Sequence, residues 1–477
     1  MEDKSIFRNI SPLDHRYYLS NKAVFDDLAD YISEEASIMY CIKAEAALLK
    51  SHMSLQGDKY SGLFDEVDKL SNSIKPEEVY AEEEKTQHNI RALVNVMKSK
   101  VPDELKPFIH LGATSVDILD TASSMKYRDA VRNVILPQLI ILENQLAEIA
   151  GNEAYTPQVG RTHGQHAVPI TLGFALSEYV SRLGKSIIEI ERLSKNLRGK
   201  LAGAVGSYNS TSMIVKDPFA LEEKYLDYLG LEASEHSTQM VEPEYLLRLL
   251  TEINTAFGVL ANLADDLRNL QRSEISELRE MFTATQVGSS TMPQKRNPWN
   301  SEHVKSLWKA FSPRVVTFFM DQISEHQRDL SNSASTRFIA DYLAGFTAAV
   351  ARMIKITATL YVDKDRLKAN LSFTGDLVLA EAAYILLSCA GEPDAHEVIR
   401  KVTLKCEENN STLAVELPKD PQTWKLISDQ LMDTAAIDAL EFFSKPELYR
   451  GKAAEKAEII SAKYKNSMKK LEEILKK

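Results

Sequence analysis

The sequence predicts an all-α protein in three helical regions, the middle one a bundle of five long helices. Two observations predict it. Gly (18) and Pro (16) are scarce in 477 residues, the wrong composition for a turn-rich β protein and a good one for helices. Apolar residues also recur three and four apart over long stretches between about 107 and 362, the spacing of one helical face.

The first region, 1–106, holds amphipathic segments such as 28–49 and 76–98. The second, 107–362, holds the long ones. Segment 127–150 carries Val131, Val134, Ile135, Leu139, Leu142, Leu146 and Ile149; 172–201 follows, and 245–271 carries Leu249, Leu250, Ile253, Phe257, Leu260 and Leu267. Segments 301–324 and 338–360 complete the five. A helix of about 27 residues is ~40 Å long, against an average of ~11–12 residues in globular proteins. The apolar faces are broader than one five-helix layer needs, so other subunits are expected to cover part of them. The third region, 363–477, reads as shorter helices, with a Pro-rich link at 417–421 and a C-terminal helix whose Lys-rich face is expected to be solvated.

Charge and cysteine content narrow the function. Lys plus Arg is 57 and Asp plus Glu is 68, a net charge of −11; nucleic-acid and membrane-surface binding need a basic face instead. The three cysteines, Cys41, Cys389 and Cys406, have neither metal-site nor disulfide-framework spacing. No signal peptide or transmembrane run is visible. The expected compartment is reducing, most simply the cytoplasm.

Three polar clusters stand out. In 285–298, Gly288 and the paired Ser289 and Ser290 precede Lys295, Arg296 and Asn297, and Pro293 and Pro298 prevent helix continuation. A cation and an amide beside a hydroxyl suit an intermediate with extra negative charge; a polar inter-helix loop is the bland alternative. In 160–169, His163 and His166 lie beside Arg161 and Gln165 between two long helices, a set fit for proton transfer or anion binding, although loop histidines are commonly structural. In 110–117, Thr114 and Ser115 are either helix caps or substrate contacts.

GSSTMPQKRNP at 288–298 resembles the GSSxMPxKxNP signature of the fumarase/aspartase superfamily. HLGATSVD at 110–117 and GRTHGQHA at 160–167 resemble the superfamily's other two segments, in the same order. Within it, the adenylosuccinate lyase family is the nearest likeness. That likeness rests on SPLDHRY at 11–17, EKTQHNIRAL at 84–93, GKLAGAVGSYN at 199–209, STQMVEPEY at 237–245 and QRDLSNSASTR at 327–337. Asn89 stands where the family usually has Asp.

The resemblance implies elimination of fumarate from succinylated purine-pathway ribonucleotides. Ser289 is implied as the base, and Lys295 and Asn297 as stabilisers of an aci-carboxylate dianion. His163 is implied as the general acid, charged by Glu302, with His88 as the other histidine of the reaction. Arg16, Tyr17, Arg328, Ser333 and Arg337 are implied for the phosphate and a carboxylate, His110 for the ribose or phosphate, and Thr114, Ser115 and Gln239 for the succinyl group. It further implies a homotetramer with a 20-helix core, sites shared between chains, and no metal or organic cofactor. Argininosuccinate-type lyase activity is the main alternative; a phosphate-free substrate would not require Arg16, Tyr17, Ser333 and Arg337. A non-enzymatic scaffold protein would not require the reactive set.

Overall fold

A computed structural model of the chain describes residues 5–282 and 290–476. Among the described residues helices dominate, and the strands form three two-stranded sheets. The longest rod begins earlier than its apolar spacing implied. Thr114 and Asp117 close a capping box that starts Ser115–Ala130, which runs through a π-helical turn, Val131–Ile135, into Leu136–Asn152. The π turn lies just before Pro137, whose ring nitrogen has no hydrogen to give the Asn133 carbonyl. At ~1.5 Å per residue the rod is about 57 Å long.

Leu172–Lys195 and Ile339–Ala358 pack against it; Glu244–Leu270 packs on Leu172–Lys195, and Trp299–Phe311 on Glu244–Leu270 and Ile339–Ala358. Their interior residues, among them Leu183, Phe257, Val304 and Phe346, belong to one apolar core. The expected helix over 301–324 is broken. It stops at Phe311 and resumes as Arg314–Met320, because Pro313 lacks an amide and its ring crowds the preceding turn.

The Lys-rich end has the solvated lysine face its sequence implies, and a buried face opposite it. Ala453–Leu475 lies against Leu136–Asn152 and Leu172–Lys195, with Tyr464, Met468 and Leu471 inside the central core and Lys463, Lys465, Lys469 and Lys470 in solvent. Gly184 permits this approach, since a Cβ there would come within 2.2 Å of the Tyr464 ring.

Two smaller cores flank the bundle. One packs Glu34–Ser54 against Ser115–Ala130 and includes the apolar side chains of Asn89–Lys100. The expected 28–49 segment divides at Ser33, whose Oγ accepts the Ala36 amide at 3.1 Å, and 76–98 divides at Gln87, which adopts φ 51°. The other flanking core, around Leu379, Ile399, Leu413 and Phe443, belongs to 378–443. Large apolar side chains stay in solvent on the central helices, including Ile141, Ile188, Val316, Phe319 and Phe338. Among the described residues no single helix is long and apolar enough to cross a membrane.

Glu143 is fully buried within the bundle, and neither of its carboxylate oxygens has a hydrogen-bond partner. Burial pushes its pKa well above the ordinary value. A carboxyl whose folded pKa exceeds its unfolded one opposes folding progressively as pH rises from the unfolded pKa towards the folded one. Glu143→Gln, which never ionises, should therefore gain stability over the native chain at pH 8 and gain little or nothing near pH 4.5. Urea unfolding at the two pH values checks this, and an equal difference at both would contradict it.

Candidate active site

His88 precedes the Asn89–Lys100 helix as its cap. Its Nδ1 accepts the Arg91 amide at 3.2 Å, so the proton of the neutral ring sits on Nε2, which lies 3.5 Å from Ser115 Oγ. Asn89 turns its own Oδ1 to the Ile90 amide at 2.7 Å. Thr114 is a cap as well as a neighbour of Ser115: its amide donates to Asp117 Oδ2 at 2.8 Å. Capping and placement are one device here, because the cap fixes where Ser115 meets His88.

Asp117 is fully buried and forms an ion pair with Lys200, itself fully buried. The same carboxylate accepts the amides of Ala202 and Gly203 at 3.2 Å, and Lys200 Nζ donates to the Gly203 carbonyl, also at 3.2 Å. The pair thus pins the 199–203 loop behind Thr114. His110, at φ 61°, brings Nδ1 within 2.6 Å of Oε1 of the buried Glu45.

The segment expected as a loop around His163 is a β-hairpin, with Pro157–Thr162 paired to Gln165–Thr171. His163 (φ 55°) and Gly164 (φ 74°) form its two-residue turn, the mirror-image turn that suits strand twist. His163 is therefore exposed at the tip. Gly160 is required because a Cβ would meet the Val168 carbonyl oxygen at 2.6 Å. Arg161 is committed elsewhere: its guanidinium grips the buried Glu277 at 2.5 and 3.2 Å, a carboxylate that also accepts from Gln158 and Asn370. His166 Nδ1 meets Thr374 Oγ1 at 2.6 Å, and burial and Arg161 hold its pKa below the ordinary value.

Ser289 lies outside the described residues. Downstream, Lys295, Asn297 and Glu302 line one cleft of about 710 Å³ together with Arg268 and Arg272. The Gln271 side chain donates to the Arg296 carbonyl at 3.2 Å, tying the loop to the end of Glu244–Leu270. The Glu280 carboxylate collects the Ser301 amide (2.8 Å) and hydroxyl (2.6 Å), starting the helix that carries Glu302. Acidic capping of a helix start is favourable.

Arg16 and Tyr17 open the short helix Arg16–Ser20, and Tyr17 Oη lies 3.1 Å from Nε2 of His303. The Gln239 amide donates to the Gln327 carbonyl at 3.2 Å, which brings Gln239 to the segment of Arg328. Arg328 itself (φ 91°) turns its guanidinium to the carbonyls of Asp321 and Gln322, at 2.9 and 3.3 Å. Ser333 and Arg337 are exposed.

One chain therefore assembles partial groups: His88 with Thr114 and Ser115; Lys295, Asn297 and Glu302; Arg16 and Tyr17; Gln239 and Arg328. Among the described residues no hydrogen bond joins His163 to Glu302. Nor do any three His, Cys, Asp or Glu residues stand as a metal-holding group. The sequence reading passed over Lys200, Glu45, Glu277 and His303. Lys200, inside the 199–209 motif, and His303, beside Glu302, have a sequence signal; Glu45 and Glu277 have none.

A family model described as "Lyase" matches residues 22–310, and one described as "Adenylosuccinate lyase C-terminal" matches 324–434. The adenylosuccinate lyase of Archaeoglobus fulgidus is 30% identical over 459 residues, covering 94% of this chain and 97% of its own. That of Pyrococcus abyssi is 30% identical, with 94% and 96% covered. Among solved structures, the 3-carboxy-cis,cis-muconate lactonizing enzyme of Pseudomonas putida superposes with a TM-score of 0.76 at 24% identity, covering 94% of this chain and 97% of that one. A fumarate lyase from Mesorhizobium sp. BNC1 gives 0.77 at 21%, covering 92% and 97%. At that identity these two share the fold.

Proposed function

This chain belongs to the adenylosuccinate lyase family and is a carbon–nitrogen lyase of purine biosynthesis, and we propose that it eliminates fumarate from adenylosuccinate, giving AMP, and from SAICAR, giving AICAR. The observation that carries the reading is the convergence of Lys295, Asn297 and Glu302 on one cationic cleft.

Ser289 removes the proton on the carbon alpha to a carboxylate. That carbon acid is weak, so the aci-carboxylate dianion needs a cation and a donor already in place. Lys295 and Asn297 supply them, and Lys295 also favours the ionised form of the base. His163 protonates the departing nitrogen, with Glu302 as the carboxylate that orients it. His88 and Ser115, with Thr114 and Gln239, hold the succinyl group, and His110 lies towards the ribose. The chain's own charges carry the step, and no cofactor enters it.

His163 sits at a hairpin tip and Glu302 on another helix, which fits sites completed between chains. We propose a homotetramer around a 20-helix core, covering the exposed apolar residues of the central helices, in a cytoplasmic enzyme of three regions, 1–106, 107–362 and 363–477. The C-terminal helix returns from the third region to the second.

Arg16, Tyr17, Ser333 and Arg337 form the proposed phosphate anchor, with Arg328. Arg337→Lys keeps the charge and loses the planar fork. Losing one charge-assisted bond costs on the order of 1.5–3 kcal/mol, about ten- to hundredfold in kcat/KM. A dephosphorylated substrate analogue should lose far less. Kinetics of both proteins on both compounds test this, and equal proportional losses would return the argininosuccinate-type reading.

A further inference from the structure

We infer that His303 is a third member of the anion site built on Arg16 and Tyr17, and that it takes up a proton as the substrate phosphate binds. The inference rests on the phosphate reading of Arg16 and Tyr17 given above.

The geometry comes first. His303 is half-buried on Trp299–Phe311, one residue after Glu302. Its Nε2 is 3.1 Å from Tyr17 Oη, and the two rings lie 5.7 Å apart. It therefore ties the N-terminal Arg16–Ser20 helix to the helix that carries Glu302. The hydrogen bond has two directions. With Nε2 unprotonated, the phenol donates to the ring and its only proton is spent. With both ring nitrogens protonated, Nε2–H donates to the phenol oxygen, and the Tyr17 hydroxyl is free to donate to a phosphate oxygen. The doubly protonated ring also adds a positive charge beside the anion.

Burial and the charges around the ring oppose that state. Burial first, then Arg352 on Ile339–Ala358 and Arg16 on the N-terminal helix, hold its pKa below the ordinary value. Arg352 is itself fixed by the Asn300 side chain at 2.7 Å and by the face of Trp299. Glu302 adjoins it on its own helix but is exposed. Glu280, just after the strand Leu278–Arg279, is committed to Asn300 and Ser301, and Lys305, on the same helix as His303, is paired with Asp265. A phosphate dianion placed against Arg16 would cancel the opposing charge and raise the proton affinity of His303. Proton uptake and phosphate binding are then linked, each strengthening the other.

The test is titration calorimetry with AMP at pH 7.5, where a phosphate of second pKa ~6 is already a dianion. Runs in two buffers of different ionisation enthalpy give the protons taken up per site. The native protein should take up a substantial fraction of a proton with AMP and almost none with adenosine. His303→Asn keeps a hydrogen-bonding side chain that does not titrate; it should bind AMP roughly three- to thirtyfold more weakly and lose the uptake. His303→Gln should repeat the result, and matching circular dichroism of all three proteins confirms the fold. AMP binding with unchanged uptake in both variants would overturn the inference and leave the phosphate reading standing. Equal affinity for AMP and adenosine in the native protein would overturn the phosphate reading, and the inference with it.

Discussion

Ser289→Ala should reduce kcat by about 10²–10⁴-fold, the usual worth of a positioned proton-transfer group, while substrate still binds. The methyl group cannot take the alpha proton, whereas Lys295, Asn297 and the proposed phosphate anchor remain. His163→Ala should be similarly inactive. Because the proposed sites draw on different chains, mixing the two inactive proteins and allowing subunit exchange should restore part of the activity, since some hybrid sites receive only intact contributions. Substantial activity in Ser289→Ala alone would show that another group is the base. Complete inactivity of hybrids confirmed by native mass spectrometry would contradict shared sites.

Lys200→Met should cost about 3–5 kcal/mol of stability, the range for breaking one half of a buried ion pair. Asp117 would keep the amides of Thr114, Ala202 and Gly203, which places the loss near the lower end. Adding Asp117→Asn should recover much of it, because a buried amide needs no counter-charge. Urea unfolding of both variants measures the effect. A loss under about 1 kcal/mol in Lys200→Met would mean that Asp117 is not charged, or not dry, in the folded protein.

The helices were legible in the sequence because their apolar spacing is a local, repeating signal. The 172–195 and 244–270 helices lie close to where that spacing put them. Three features are not legible in that spacing, each for a physical reason. Pro313 cut the fourth segment, although the apolar pattern crosses it. The hairpin around His163 was missed because its strands are short and its turn, His163–Gly164, looks like any Gly-containing loop. The lysine face of the C-terminal helix is solvated as its sequence implies, but the buried stripe of Tyr464, Met468 and Leu471 on its other side is narrow and masked by the charges between them.

For the site, the 288–298 motif was legible as chemistry because cation, amide and hydroxyl stand together in the chain. The supports were not. Lys200 meets Asp117 across 83 residues and Glu277 meets Arg161 across 116, and nothing local announces either pair. Arg161 illustrates the consequence: as sequence it is a free cation beside two histidines, and in the fold it is neutralised.

The central claim is most directly tested by following the purified protein in an ultraviolet assay with adenylosuccinate and, separately, with argininosuccinate. The account predicts fumarate and AMP from the first, with no turnover of the second. Turnover of argininosuccinate, with adenylosuccinate left intact, would contradict it.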